Sequence, residues 1–260
     1  MPYLHLDGCD LYYETAGHGP ALVFAHGLGG NHMSWWQQVP HFRDRYTCVT
    51  FAHRGFAPSR EAVGGPGPAA FIDDIEALIE HLGFEDVRLV AQSMGGMAAL
   101  GYALRHPERV RALVLAATGG ATMNQELRRI FVEHRARNLE APLFAKGIHP
   151  AAGERMAREQ PDLHFLYWQI SDLSDDLDRE ALRAKALAQP RNSPEEVAAL
   201  GVPILCVTGE EDVVVPTEAI ELLASLIGAR LERVPEAGHS VYFERAATFN
   251  RLVDEFLVTV

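Results

Sequence analysis

Six short runs rich in Val, Leu, Ile and Phe recur along the chain, at Ala21 to Ala25, Tyr46 to Ala52, Val87 to Gln92, Arg111 to Ala117, Pro203 to Thr208 and Arg230 to Val234. A strand with one wet face alternates apolar and polar side chains; these runs read as apolar throughout, the pattern of strands covered on both faces. Between several of them lie helical periodicities. Phe71, Ile75, Leu78, Ile79 and Leu82 fall on one face, as do Ile220, Leu223 and Ile227, and then Phe249, Leu252, Val253 and Phe256. Strand and helix alternating in this way predict an α/β fold, a mostly parallel sheet of about eight strands with helices on both faces. The chain opens differently, with Asp7-Gly8 between two short alternating runs, the signal of a tight hairpin.

One interval breaks the rhythm. A crossover between neighbouring parallel strands needs few residues, yet 119–200 separates the run ending at Ala117 from the one starting at Pro203. This stretch is charged and helix-favouring but carries Phe131, Phe144, Phe165, Leu166, Tyr167 and Trp168. The expectation is a core formed by 1–118 and 201–260, with 119–200 as a helical cap over the carboxyl ends of the strands, where open α/β sheets bind ligands.

Composition removes several functions. The net charge is −12, with 23 basic against 35 acidic side chains, so a polyanion would be repelled and no nucleic-acid partner is expected. No apolar run approaches the roughly 18 residues of a membrane helix, and the first residues lack a basic segment followed by an apolar one. Cys9, Cys48 and Cys206 are widely spaced and odd in number, which suits buried thiols in a reducing compartment. A cytoplasmic protein acting on a small molecule is expected, with no membrane partner.

The stretch "VAQSMGG", Val90 to Gly96, carries the chemistry. A serine at a sharp strand-to-helix turn is held in a strained backbone that lifts its hydroxyl above the sheet, and flanking side chains must be small. Ala91 and Gly95 meet that need around Ser93. A serine hydroxyl needs a base, and the base needs a group to orient it. The run Pro203 to Thr208 leads into Gly209-Glu210-Glu211-Asp212, and the next strand leads into Gly238-His239-Ser240. Ser93, Asp212 and His239 thus follow the chain order of this architecture, with Glu210 and Glu211 as rivals to Asp212 that chemistry alone does not exclude. The glycine-rich "HGLGGN", His26 to Asn31, follows a strand and supplies N–H groups for an oxyanion, with Leu28 and Met94 as the donors.

Competing sites are weaker. No G-x-G-x-x-G or G-x-x-x-x-G-K-[ST] marks a phosphate cradle, and His26 with His32, or His134, His149 and His164, lack H-E-x-x-H spacing. No metal and no cofactor is expected.

The motifs "HGLGG", "RGFAPS", "AQSMGG", "GEEDVVVP" and "AGHSVYFE", in this order, resemble the α/β-hydrolase fold family across the chain except the cap. The likeness is greatest to its serine esterase, lactonase and carbon–carbon bond hydrolase group. Haloalkane dehalogenases share the fold but place an aspartate where Ser93 stands. The resemblance implies Ser93 as nucleophile, His239 as base, Asp212 as orienter and Leu28 and Met94 as oxyanion donors. Ala91 stands where the first glycine of G-x-S-x-G is usual, and Ala52 and Ala57 where many members have Asp and Gly.

The expected activity is hydrolysis of a carboxylic ester or lactone through an acyl-enzyme. Diketone-type carbon–carbon hydrolysis is the alternative; cofactor-free oxygenases, perhydrolases and a non-catalytic ligand receptor share the architecture. A largely apolar pocket is expected from Trp35, Trp36, Met94, Phe131, Tyr167 and Trp168, with His32 and His53 at its rim.

Overall fold

The computed structural model describes residues 2–174 and 176–260. Strands β1 (Tyr3–Leu6) and β2 (Cys9–Gly17) form the opening hairpin, with Leu6 opposite Cys9 and Gly8 at φ 65°, so Asp7-Gly8 is a two-residue turn. Next come β3 (Ala21–Ala25), the short helix α1 (Val39–Phe42), β4 (Thr47–Phe51) and the two-residue β5 (Arg60–Glu61). Helix α2 (Phe71–His81), β6 (Val87–Gln92), α3 (Gly95–Arg105) and β7 (Val110–Ala116) follow.

The sheet runs β1-β2-β4-β3-β6-β7, then β8 (Ile204–Gly209) and β9 (Arg230–Val234), with β5 on the side of β2. Strands β3, β4, β6, β7, β8 and β9 pair in parallel, and β2 is antiparallel to β4. The expected architecture is therefore present, with nine strands because of β5. The unbroken apolar runs have a direct cause. Val23, Leu89, Leu113 and Cys206 enter the core on one face, while Leu22, Val90, Val114 and Leu205, one residue away on each strand, enter the core on the other. The reading of Arg230 to Val234 as buried on both faces is corrected: β9 is the edge strand, and only Val234 in it is buried.

Helices α2, α3 and α10 (Thr217–Ile227) contribute to the first core; α11 (Val241–Glu244) and α12 (Ala246–Leu257) join Trp35 and Phe42 in the second. Cys9, Cys48 and Cys206 are free and buried.

Between β7 and β8 the chain forms α4 (Gln125–Ala136), α5 (Glu140–Ala145), α6 (Gly153–Glu159), α7 (Pro161–Asp172), α8 (Arg179–Leu187) and α9 (Pro194–Ala198). The segment leaves and returns at one place: Thr122 bridges Asn192, and the Met123 N–H donates to the Asn192 carbonyl at 2.9 Å. No helix among the described residues is long and apolar enough to cross a membrane.

Candidate active site

Ser93 sits between β6 and α3 at φ 50°, in the left-handed region, which costs a non-glycine residue energy and persists only where the surroundings impose it. They do so here. A β-carbon at Gly95 would lie 2.3 Å from the Ala25 carbonyl oxygen, so α3 starts hard against the end of β3, and the Ser93 N–H donates to the Ala116 carbonyl at 3.0 Å.

The loops after β8 and β9 touch. A β-carbon at Gly209 would lie 2.2 Å from the Gly238 carbonyl oxygen, which explains a glycine at the end of β8. This contact brings the two loops into register. His239 Nδ1 hydrogen-bonds Asp212 Oδ2 at 2.8 Å, and Asp212 Oδ1 accepts the N–H groups of Val214 and Val215 at 2.8 and 2.9 Å. The rivals are occupied elsewhere: Glu210 pairs with Arg233 at 2.8 Å, and Glu211 with Arg155 of α6 at 2.6 Å. Asp212 is buried; the two glutamates face solvent.

Gln92, the residue before Ser93, is 2% exposed and donates its Nε2 to the His239 carbonyl at 3.3 Å. The histidine loop is therefore tied to the serine turn. Among the described residues Ser93 Oγ makes no hydrogen bond to protein; hydroxyl–imidazole contacts in unliganded sites are commonly long and tighten with substrate.

Two backbone N–H groups are oriented by their own peptide units. A trans peptide points its C=O and N–H in opposite directions. The Gly27 carbonyl accepts His26 Nδ1–H at 2.8 Å and the Gly30 N–H at 3.1 Å, which turns the Leu28 N–H away from them. The Ser93 carbonyl accepts the Gly96 N–H at 3.0 Å, which does the same for Met94 N–H. His26 is held in one neutral tautomer, because its Nε2 accepts the His53 N–H at 2.9 Å; burial pushes its pKa down to about 3. Sequence reasoning treated His26 only as a weak metal candidate and did not single out Gln92. The signals available were the His-Gly pair after a strand and a polar residue inside a buried run.

The six-element insertion contributes part of the surroundings. Tyr167 of α7 is buried and accepts a hydrogen bond from Ser240 Oγ at 3.0 Å, next to His239; burial raises its phenol to about 12. Trp168 packs edge-on to His149 at 4.8 Å. The other expected pocket residues have packing partners of their own. His32 rests on Tyr12 of β2 at 4.6 Å, Trp36 is 44% exposed beside Phe243, and Phe131 packs on the core that holds α3 and α10. His53, placed at the rim by the sequence, is fully buried and stacked on Phe71 at 4.4 Å. This departure follows from the aromatic shell of Phe51, Phe56 and Phe71 closing around it.

Behind the histidine loop, Glu244 Oε1 accepts the Gly238 N–H at 2.6 Å, and burial raises its pKa to about 8. Its carboxyl borders a cavity of ≈ 360 Å³ that Leu143, Arg155, Glu211 and Val213 also line. Among the described residues no group of three or more His, Cys, Asp or Glu is gathered as a metal site requires.

The family model of the α/β hydrolase fold matches residues 20–246. The chain belongs to the α/β hydrolase fold family. Among curated relatives, a putative carbamate hydrolase RutD of Azorhizobium caulinodans is 28% identical, the match covering 97% of each chain. The 3-oxoadipate enol-lactonase 2 of Acinetobacter baylyi is 26% identical, over 94% of this chain and 91% of its own. Among solved structures, an N-acyl homoserine lactone degrading enzyme superposes with a TM-score of 0.80 at 27% identity, covering 98% of this chain and 100% of that one. In this α/β hydrolase the family match extends through residues 119–200.

Proposed function

We propose that this hydrolase cleaves a carboxylic ester or lactone of a small, largely apolar substrate through an acyl-enzyme on Ser93. The observation that carries the reading is a buried His239–Asp212 pair, 2.8 Å apart, tied through Gln92 to a serine held at φ 50°. Asp212 orients the imidazole and holds its Nδ1 proton, leaving Nε2 as the base. His239 takes the Ser93 proton as Oγ bonds the carbonyl carbon and an electron pair moves to the oxygen. The Leu28 and Met94 N–H groups stabilise that oxyanion. Collapse of the intermediate breaks the bond to the leaving oxygen, which receives the proton from His239. Water then loses a proton to His239 as it bonds the acyl carbon, and collapse breaks the bond to Ser93 Oγ, which takes that proton back from His239 as the acid is freed.

The insertion, residues 119–200, acts in this reading as a cap. Tyr167 and Trp168 shape the acyl space, with His32, Trp36 and Phe131 farther out. Three of the relatives, a carbamate hydrolase, an enol-lactonase and an enzyme that degrades a lactone, have names of acyl cleavage and favour this chemistry.

The test is the intact mass of the protein after exposure to a fluorophosphonate, beside Ser93→Ala. One adduct on the parent and none on the variant is expected. A folded parent that takes no adduct overturns the acyl-enzyme reading.

A further inference from the structure

His149 lies in the loop between α5 and α6, where its ring and its backbone are both held. Its Nδ1 accepts the Ala151 N–H at 3.2 Å, and its own backbone N–H donates to His164 Nε2 at 3.2 Å. The ring is packed edge-on between Tyr167 and Trp168, each 4.8 Å away. Because Nδ1 is an acceptor, the proton of the neutral imidazole resides on Nε2. Burial pushes the His149 pKa down to about 3, with Arg179, His164 and His239 adding to the effect, so the ring stays neutral at the pH where hydrolases of this kind work.

The Cε1–Nε2 edge of the ring lies against Gly29, in the loop that follows β3. A β-carbon at Gly29 would lie 3.2 Å from His149 Cε1 and 3.4 Å from Nε2, one residue beyond the Leu28 N–H. The same point lies 3.0 Å from the Tyr167 hydroxyl, which is bonded to Ser240 beside His239. Among the described residues His149 Nε2 has no protein acceptor. A donor that is fixed, uncharged and unspent beside an oxyanion loop discriminates between ligands. An oxygen acceptor satisfies it, whereas an apolar group leaves it unpaired.

Resting on the acyl-enzyme reading, we propose that His149 is a specificity-determining residue whose Nε2–H binds a second oxygen acceptor of the substrate, apart from the scissile carbonyl. The substrate class is thereby narrowed to esters or lactones that carry a keto, ether or amide oxygen near the acyl carbon. The insertion supplies this selectivity, and the sheet supplies the bond cleavage.

The experiment compares p-nitrophenyl alkanoates with analogues bearing a keto oxygen at successive chain positions, for the parent, His149→Phe and His149→Gln. Phe keeps the aromatic packing without the donor; Gln restores an N–H near the position of Nε2. For at least one keto position the parent's preference over the alkyl isostere falls about tenfold in His149→Phe, mainly through KM, and recovers in His149→Gln. Equal preferences in the parent and His149→Phe across the panel overturn the proposal, because a purely packing role lowers turnover of both series alike. A second readout does not depend on turnover. In the ¹⁵N spectrum of histidine-labelled protein, His149 should be neutral with its proton on Nε2, and that signal should move on adding a keto amide but not its alkyl counterpart. The other tautomer, or no shift with any keto amide, also overturns it. Fluorophosphonate labelling of the same samples separates the two readings: loss of the Ser93 adduct sinks the acyl-enzyme, and the ¹⁵N result stands on its own.

Discussion

The ends of the parallel strands and the inserted segment are built by different means. Ser93, Asp212 and His239 are placed by backbone: a turn at φ 50°, a glycine with no room for a β-carbon, and a carboxylate gripped by two N–H groups. The insertion is made of short helices with surface ion pairs and exposed apolar side chains, such as Phe144 at 52% and Phe165 at 64% exposed. It meets the strand ends through side chains, Tyr167 on Ser240, His134 donating to the Val213 carbonyl at 2.8 Å and Arg155 on Glu211, and through backbone, the Ser240 N–H donating to the Ala151 carbonyl at 3.0 Å. Under the proposed function, the difference teaches that bond cleavage belongs to the region that cannot shift without breaking the sheet, and choice of substrate to the region whose side chains can be exchanged.

That division is open to attack at several points. The largest effect is expected from Ser93→Ala, on the order of a millionfold in kcat by steady-state kinetics with an activated ester. Next is Asp212→Asn, which leaves the shape intact but favours the wrong imidazole tautomer and should cost on the order of 10⁴-fold. Glu210→Gln and Glu211→Gln, measured in the same assay, should stay within about threefold, since both are surface ion-pair partners. A large loss in either would reassign the acid.

Gly95→Ala tests whether the turn is as tight as the 2.3 Å approach to Ala25 implies. It should destabilise by about 1–3 kcal/mol in a urea titration, because the obstacle is backbone rather than a side chain that can swing away.

Glu244 allows a pH test. Its folded pKa of about 8 lies above its ordinary 4.5, so the folded state holds a proton that the unfolded state has released. Stability contributed by this group is therefore present below 4.5 and lost as pH rises towards 8, at most ~1.4 kcal/mol per pH unit. Urea titrations of Glu244→Gln across this window should give a flatter profile than the parent; parallel profiles would show that the carboxyl is ionised in the fold. The smallest effects belong to the insertion. Trp168→Ala should change kcat/KM by less than about tenfold for any one ester while reordering acyl preference. Phe165→Ser, on an exposed position, should alter stability by no more than about 0.5 kcal/mol. A Trp168→Ala loss as deep as that of Asp212→Asn would abolish the distinction between the two regions.

Much of this was legible in the chain. Runs that are apolar at consecutive positions announce strands covered on both faces, and the small residues around Ser93 announce a turn with no room. The edge strand β9 reads as buried from Leu231 and Val234, of which only Val234 is buried in the fold, and β5 gives no signal because two residues have no periodicity. His53 could not be placed, since a histidine in a buried aromatic shell and one at a pocket rim look the same in sequence. Among the expected pocket aromatics, Tyr167 meets the histidine loop through Ser240, Trp36 packs on Phe243, and Phe131 packs on the core that holds α3 and α10. Helical phase within the insertion does not tell which face meets the sheet.

The sequence by itself determined the fold class, the serine turn and the chain order of Ser93, Asp212 and His239, because these follow from local patterning and from what a strand end must do. Tertiary structure alone decided that Asp212 rather than Glu210 or Glu211 meets His239, that His26 turns the Leu28 N–H, and that His149 presents its Nε2 beside Gly29. Each of those depends on contacts between loops far apart in the chain, and their meeting is set by how the two cores pack rather than by any neighbour in sequence.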